Sequence, residues 1–307
     1  MRVLVPGAAG MLGLDVLRAG ERAGHELIGL SRPELDITDA AAVHATVERI
    51  GPDAVLNCAA WTDVDGAETH TEQAHAVNAD GAGNLARAAA QAGVPLVHVS
   101  TDYVFSGEAF VVSSGAPRAY VESDPTGPQS VYGQSKLAGE QQVLAASPRH
   151  AVVRSAWLFG IGGRNFAETM LRLAGEREAT GPGGATGPSP TNPVAPPVQV
   201  VTDQVGCPTW TGHLAPALLG VIERGVAGLV HLAGAGQVSW NGFAAEIFRQ
   251  AEVDCRVEDA TTAQMARPAP RPAWSVLESE REDVLPLPPW QDGLAGYLAA
   301  RTGMMRA

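Results

Sequence analysis

The chain has 307 residues, 45% of them hydrophobic and 18% charged, with a formal net charge of −12. That size and composition permit one large buried core, or a core with a smaller lobe beside it. The negative charge argues against nucleic-acid or anionic-membrane partners, which need clustered cations, but is compatible with an anionic small molecule held by a few arginines.

Three cysteines, Cys58, Cys207 and Cys255, fit neither a disulfide framework nor a zinc spacing, so a reducing compartment and no metal are expected. The opening MRVLVPGAAG has no signal-peptide pattern, and no run approaches the roughly 20 apolar residues of a membrane span. A soluble, cytoplasmic protein follows as the expectation.

In chain order, an apolar run at 2–5 reads as a buried strand, followed by a glycine turn and a helix at about 11–23. Strands are expected at 27–30 and 54–57, a helix at 74–92, a strand at 96–100, a helix at 131–146 and a strand at 151–154. Strands spaced by helices in this way form βαβ units, that is, a Rossmann-type doubly wound parallel sheet. Beyond residue 160 the pattern loosens: a helix at 166–174, a flexible Gly/Pro-rich loop at about 178–197, a strand at 199–202, a helix at 213–223, a strand at 229–232 and a helix at 240–251. The expected division is a dinucleotide-binding domain over 1–160, its sheet completed from within 198–232, and a smaller, less regular substrate lobe over most of 161–307. No internal repeat is present.

Gly7, Gly10 and Gly13 form G-x-x-G-x-x-G between the first strand and the first helix. Backbone must approach a pyrophosphate closely there, and the helix N-terminus supplies N–H donors and a positive dipole end. After the second strand, Ser31 and Arg32 stand where an acid would bind a ribose diol. Arg32 suits a 2′-phosphate, so NADPH is favoured, with NADH possible; Asp36 and Ile37 are placed to flank the adenine.

Lys136 is the only lysine among 21 basic residues, and it lies four residues after Tyr132. On a helix the two share a face. A free phenol has a pKa of about 10, and a neighbouring cation lowers it toward working pH. An ammonium is compact with three rotatable donors, whereas a guanidinium is wide and fixed in its fork. Thr101, with Ser100 and Asp102, ends the fourth strand at the carboxyl edge where open α/β sheets place their ligands, and offers a hydroxyl to a carbonyl. A catalytic set of Thr101, Tyr132 and Lys136 is the expectation.

The stretches PGAAGMLG, LDITD, NCAAWTDVDGAE, VSTDYVFSG, VYGQSKLAGE, RSAWLFG, NFAETMLRLA, DQVGCPTW and RPAPRPAWSVL together resemble the extended short-chain dehydrogenase/reductase family. Within it the chain is most similar to the reductases that act on dTDP-4-dehydro-L-rhamnose. The resemblance implies NAD(P)H-dependent reduction of the C4 ketone, with Tyr132 as proton donor, Lys136 tuning it and holding the nicotinamide ribose, and Thr101 bonded to the ketone oxygen. It implies cofactor contacts at Gly7, Gly10, Met11, Leu12, Gly13, Asp36, Ile37, Ala59, Ala60 and Trp61. Substrate contacts are implied at Thr62, Val64, Asp102, Trp157, Asn165 and Arg271. Trp157 also reads as an aromatic packed after a strand, and Asn165 as a helix N-cap.

Two segments depart from the family pattern: GEAFVVSSGAPR, and the Gly/Pro insertion after Glu178. A glutamate that serves magnesium at a dimer interface in some members has Gly212 in its neighbourhood here, so no metal is carried over, and monomer and homodimer stay open. Two alternatives remain: a 4-ketoreductase for another nucleotide-activated deoxysugar, and a non-catalytic NADP-binding regulatory subunit.

Overall fold

Short runs of Val, Leu and Ala build the centre of the molecule. In the structure, a computed structural model that describes residues 1–111, 115–180 and 197–305, six of them form one parallel sheet. These are β1 (Arg2–Pro6), β2 (Glu26–Leu30), β3 (Ala54–Asn57), β4 (Leu96–Thr101), β5 (Ala151–Ser155) and β6 (Gly228–His231). Their order is β6-β5-β4-β3-β1-β2, with every pairing parallel. The order turns back at β1, so a crevice opens beyond the carboxyl ends of β1 and β3, where doubly wound sheets bind ligands.

Parallel strands are buried on both faces and need a helical layer on each. On one face Val3, Val5 and Val153 pack with Leu12 and Val16 of the helix Met11–Arg22 and with Leu214 and Leu218 of Thr211–Glu223. On the other, Leu4, Val55 and Val152 meet Val43 of Ala40–Ile50, Leu85 of Ala82–Gln91 and Val143 of Val131–Ala146. The sequence reading contains no helix at Ala40–Ile50, although its signals are present. The Asp39 carboxylate accepts from the amides of Ala41 and Ala42, and Gly51 ends the helix in the left-handed region at φ 55.

A third core, with Phe159, Met170, Val200, Phe243, Trp290 and Tyr297, forms the lobe. Of the residues in 198–232, only β6 joins the main sheet; Val198–Val201 pairs instead with Val257–Ala260 in a separate two-stranded sheet. Gln199 is exposed between buried Val198 and Val200, so the strand meets solvent at that position and suits a small sheet at the edge rather than a doubly covered interior. The helix beginning at Phe166 runs on to Thr180, past the expected start of the Gly/Pro-rich loop, and the rest of that loop, 181–196, lies outside the described residues. The flanks of the other departing segment pair as a short antiparallel ladder, Phe110–Val111 with Pro117–Arg118, around residues 112–114, which also lie outside.

The expected helix at 74–92 is three pieces: Thr71–His75, a π-helical turn at Ala76–Gly81, and Ala82–Gln91. The wider turn carries Asn78, which bonds the catalytic region described below, in keeping with the tendency of π-bulges to mark functional sites. Against it lies Val131–Ala146, N-capped by Ser130, whose hydroxyl accepts from the Gly133 amide at 3.1 Å. Glycine lets this helix sit close. A Cβ at Gly133 would fall 2.2 Å from the Tyr103 carbonyl oxygen, and one at Gly139 2.1 Å from that of Asn78.

Gly139→Ala is therefore expected to lower unfolding free energy by about 1–3 kcal/mol through overpacking. Gly175→Ala, in a helix with open space around the added methyl, is expected to be neutral or stabilising by up to about 1 kcal/mol. Urea unfolding of both variants checks the contrast, and equal losses would contradict it.

Candidate active site

The glycine turn is built for close approach. Gly7 has φ +79, and a Cβ there would lie 2.5 Å from the Ala59 amide nitrogen; one at Gly13 would lie 2.4 Å from the Gly7 carbonyl oxygen. Gly10 caps the helix Met11–Arg22 without a side-chain bond, and the first turn has no acidic residue, so the turn itself puts no carboxylate or hydroxyl on the positive end. Met11, Leu12 and Gly13 form the first turn of that helix. A dinucleotide pyrophosphate fits this cradle.

At the end of β2 the Ser31 amide and hydroxyl both donate to Glu34 Oε2, at 2.8 and 2.5 Å. Arg32 is exposed and close enough to help hold Asp36 below the usual carboxylate range, although the Asp36 shift comes mainly from the Thr38 amide and hydroxyl. Ile37 is buried. Ala59, Ala60 and Trp61 follow β3 and are half-buried. Asn78 ties this loop to the helix Val131–Ala146: its Oδ1 accepts from the Trp61 amide at 2.8 Å, and its Nδ2 donates to the Trp61 carbonyl at 3.1 Å and to Ser135 Oγ at 3.0 Å. Thr62 is exposed, and Val64 starts the short helix Val64–Ala67.

Tyr132 and Thr101 come together at the carboxyl edge of β4. The Tyr132 ring packs edge-on against Tyr103 with centroids 5.4 Å apart. The residue keeps some exposed surface while its hydroxyl end is enclosed. Burial and the nearby Asp102 carboxylate push the phenol up to about 12, with the Thr101 hydroxyl acting the other way. The Thr101 hydroxyl donates to Asp102 Oδ1 at 3.0 Å and accepts from the Tyr103 amide at 3.3 Å. Asp102 is buried with Oδ2 lacking a hydrogen-bond partner. Burial raises it to about 6, partly offset by the nearby Ser275 and Thr101 hydroxyls; Ser275 Oγ acts through proximity, without the geometry of a hydrogen bond.

Lys136 departs from expectation. Its amine is buried, 2.7 Å from the Val99 carbonyl oxygen and 3.1 Å from His98 Nε2, rather than bonded to the phenol. Burial lowers it to about 8, opposed by Glu140 and Cys58. In this state of the protein the phenol is raised, not lowered, because burial and a carboxylate act on it and the amine is engaged elsewhere. Behind Lys136, Arg154 grips Glu140 with two bonds of 2.9 and 2.7 Å, and Ser100 Oγ donates to Glu140 at 2.6 Å. His98, Asn57, Asn78 and the Arg154–Glu140 pair are absent from the sequence reading. The available signal was polarity inside strand runs, a histidine in LVHV and an arginine ending AVVR.

On the lobe side a cavity of about 720 Å³ is lined by Tyr103, Phe166, Met170, Gln204, Trp240 and Arg271, among others. Arg271 bonds Asp65 at 2.9 Å with Nη1 left unpartnered, and Arg267 bonds the same carboxylate at 3.2 Å. Trp157 holds a left-handed backbone (φ 49) and stacks on Trp240 at 3.5 Å, so packing accounts for its ring. Asn165 is a helix N-cap: its Oδ1 accepts from the Glu168 amide at 2.9 Å, while Nδ2 donates to the Gly160 carbonyl at 2.8 Å.

Asp102 gives a pH signature. Its folded pKa of about 6 lies above the ordinary 3.8, so its contribution to stability is fully present below the unfolded value and is lost as pH rises through 6. Relative to Asp102→Asn, the wild type should lose up to about 3 kcal/mol of unfolding free energy between pH 3 and pH 8. Parallel urea-unfolding profiles for the two proteins would contradict this.

The family described as RmlD substrate binding domain matches residues 1–181 and 193–302. A dTDP-4-dehydrorhamnose reductase of Mycobacterium tuberculosis is 43% identical over 305 residues, covering 97% of this chain and 93% of that protein. A dTDP-4-keto-6-deoxy-D-glucose reductase of Streptomyces niveus is 38% identical over 278 residues, covering 90% and 88%. Among solved structures, a dTDP-4-dehydrorhamnose reductase from Bacillus anthracis in complex with NADP superposes with TM-score 0.87 at 32% identity, covering 97% of this chain and 99% of that one.

Proposed function

The chain belongs to the RmlD substrate binding domain family, and on that premise we propose that it is an NADPH-dependent reductase of the C4 ketone of dTDP-4-dehydro-L-rhamnose, yielding dTDP-L-rhamnose. The observation that carries the reading is the enclosed Tyr132 phenol brought to the Thr101 hydroxyl at the carboxyl edge of β4, in a chain whose turn after β1 offers an uncapped helix end shaped for a dinucleotide.

Gly7, Gly10 and the Met11–Gly13 turn would hold the pyrophosphate, and Ala59, Ala60 and Trp61, after β3, would contact the cofactor. When bound, the cofactor supplies a hydride. The chain's own residues manage the oxygen and its proton. Thr101 donates a hydrogen bond to the ketone oxygen and so positions it. Tyr132, fully protonated at neutral pH, delivers its proton as alkoxide character develops, which makes it the general acid. Lys136 holds the ribose hydroxyls and compensates the phenolate left behind. Arg267 and Arg271 leave their shared Asp65 to meet the diphosphate, for which the fork of a guanidinium is well matched.

A non-catalytic cofactor-binding subunit has no need for a phenol and an amine enclosed at the sheet edge. None of the three cysteines forms a disulfide among the described residues, which suits a cytoplasmic enzyme.

The test incubates the protein with NADPH and dTDP-4-dehydro-L-rhamnose, following NADPH oxidation and identifying the sugar product. Tyr132→Phe is expected to lower kcat about 10²- to 10⁴-fold with NADPH affinity unchanged. No turnover by the wild type despite NADPH binding would reject this sugar. The substrate named for the Streptomyces niveus relative would then be tried first.

A further inference from the structure

The hydrogen bonds behind the catalytic helix have a fixed direction. The Ala59 amide donates to Asn57 Oδ1 at 2.9 Å, which fixes the orientation of that side-chain amide. Its nitrogen, which can only donate, therefore faces His98 Nδ1 at 2.9 Å. Nδ1 must accept, so His98 is neutral and carries its one proton on Nε2.

That Nε2–H faces Lys136 Nζ at 3.1 Å. An ammonium has no lone pair, so two donors would oppose each other in a place where Asn57, His98 and Lys136 are each at most 2% exposed and water cannot mediate. A neutral amine satisfies every group: it accepts from Nε2–H and donates to the Val99 carbonyl at 2.7 Å.

We propose that His98, oriented by Asn57, is a positioning residue that holds Lys136 as a neutral amine turned away from Tyr132, and that filling the cofactor site draws Nζ off His98 and adds one proton to it. The step is R–NH₂ + H⁺ → R–NH₃⁺, with the proton taken from solvent. It rests on the reading of Lys136 as the residue that holds the cofactor ribose. The titratable groups acting on Nζ are His98 on β4, Cys58 just after β3 and Glu140 on its own helix, with Glu140 already engaged by Arg154 and Ser100. Burial acts in the same direction as this geometry, lowering the amine to about 8, so the neutral form predominates at the mildly alkaline pH of the test.

The experiment is calorimetric titration of the protein with NADP⁺ at pH 8.5 in two buffers of different ionisation enthalpy, which counts protons taken up on binding. The 2′-phosphate, with a second pKa of about 6, is silent there. The wild type is expected to take up between about half and one proton per site. Lys136→Met should take up none. His98→Gln places an amide oxygen where Nε2 stood, lets the ammonium dock in the free protein, and should cut the uptake at least threefold while NADP⁺ still binds. NADP⁺ binding by the wild type without proton uptake overturns the proposal, and this outcome does not depend on how the variants fold. Unchanged uptake in His98→Gln or Lys136→Met also overturns it. Absence of NADP⁺ binding by the wild type overturns the reductase reading together with this one.

Discussion

The enclosure of one amine at the carboxyl edge of the sheet constrains everything around it. Taking an ammonium out of water costs several kcal/mol unless it is paired and fully hydrogen-bonded. Lys136 has a backbone carbonyl and an imidazole within bonding distance, and its nearest carboxylate, Glu140, is shared with Arg154 and Ser100. To reach that position its helix must lie almost in backbone contact with two neighbours, which is why Gly133 and Gly139 face the carbonyls of Tyr103 and Asn78. The π-turn that presents Asn78 ties the same helix to the loop after β3. The helix of Tyr132 and Lys136, the loop after β3 and the sheet edge are thus held by one set of contacts.

The rarity of lysine in this chain takes on a fuller meaning in that setting. Shape disfavours arginine, since a wide planar fork is a poorer match than a compact amine to the Val99 carbonyl and His98 Nε2. Proton chemistry disfavours it more strongly. A guanidinium stays protonated at any working pH, whereas a buried amine with a pKa near 8 is able to exist in both forms. A site that needs its cation when the ribose and the phenolate are present, and tolerates its absence otherwise, is open to lysine and closed to arginine. His98 then follows as a neutral imidazole whose tautomer is fixed by an amide that a backbone N–H has already oriented.

Much of the fold was legible because its signals are local. The glycine turn after β1, the strand–helix alternation and the limits of Val131–Ala146 all follow from periodicity, caps and spacing within a dozen residues. The placement of Tyr132 and Lys136 four residues apart on one helix was legible for the same reason. What escaped depends on long-range packing. His98 sits in an apolar run, and only the fold brings it to Asn57 and Lys136, 41 and 38 residues away in sequence. Val198–Val201 resembles a main-sheet strand until Val257–Ala260 claims it. Helix spacing does not set the direction of the Tyr132 shift in the free protein, since i and i+4 residues share a face without fixing where a four-carbon side chain ends. Burial and Asp102, neither visible in the spacing, decide it.

The central claim is that the free protein holds Tyr132 as a protonated phenol with the lysine amine engaged elsewhere. The direct measurement is a spectrophotometric pH titration of phenolate, taken as the difference between wild type and Tyr132→Phe in the absence of cofactor. The account predicts that the Tyr132 signal appears only as pH approaches about 12. A signal at or below about 10, the ordinary phenol value, would place the ammonium beside the phenol in the free protein and contradict the account.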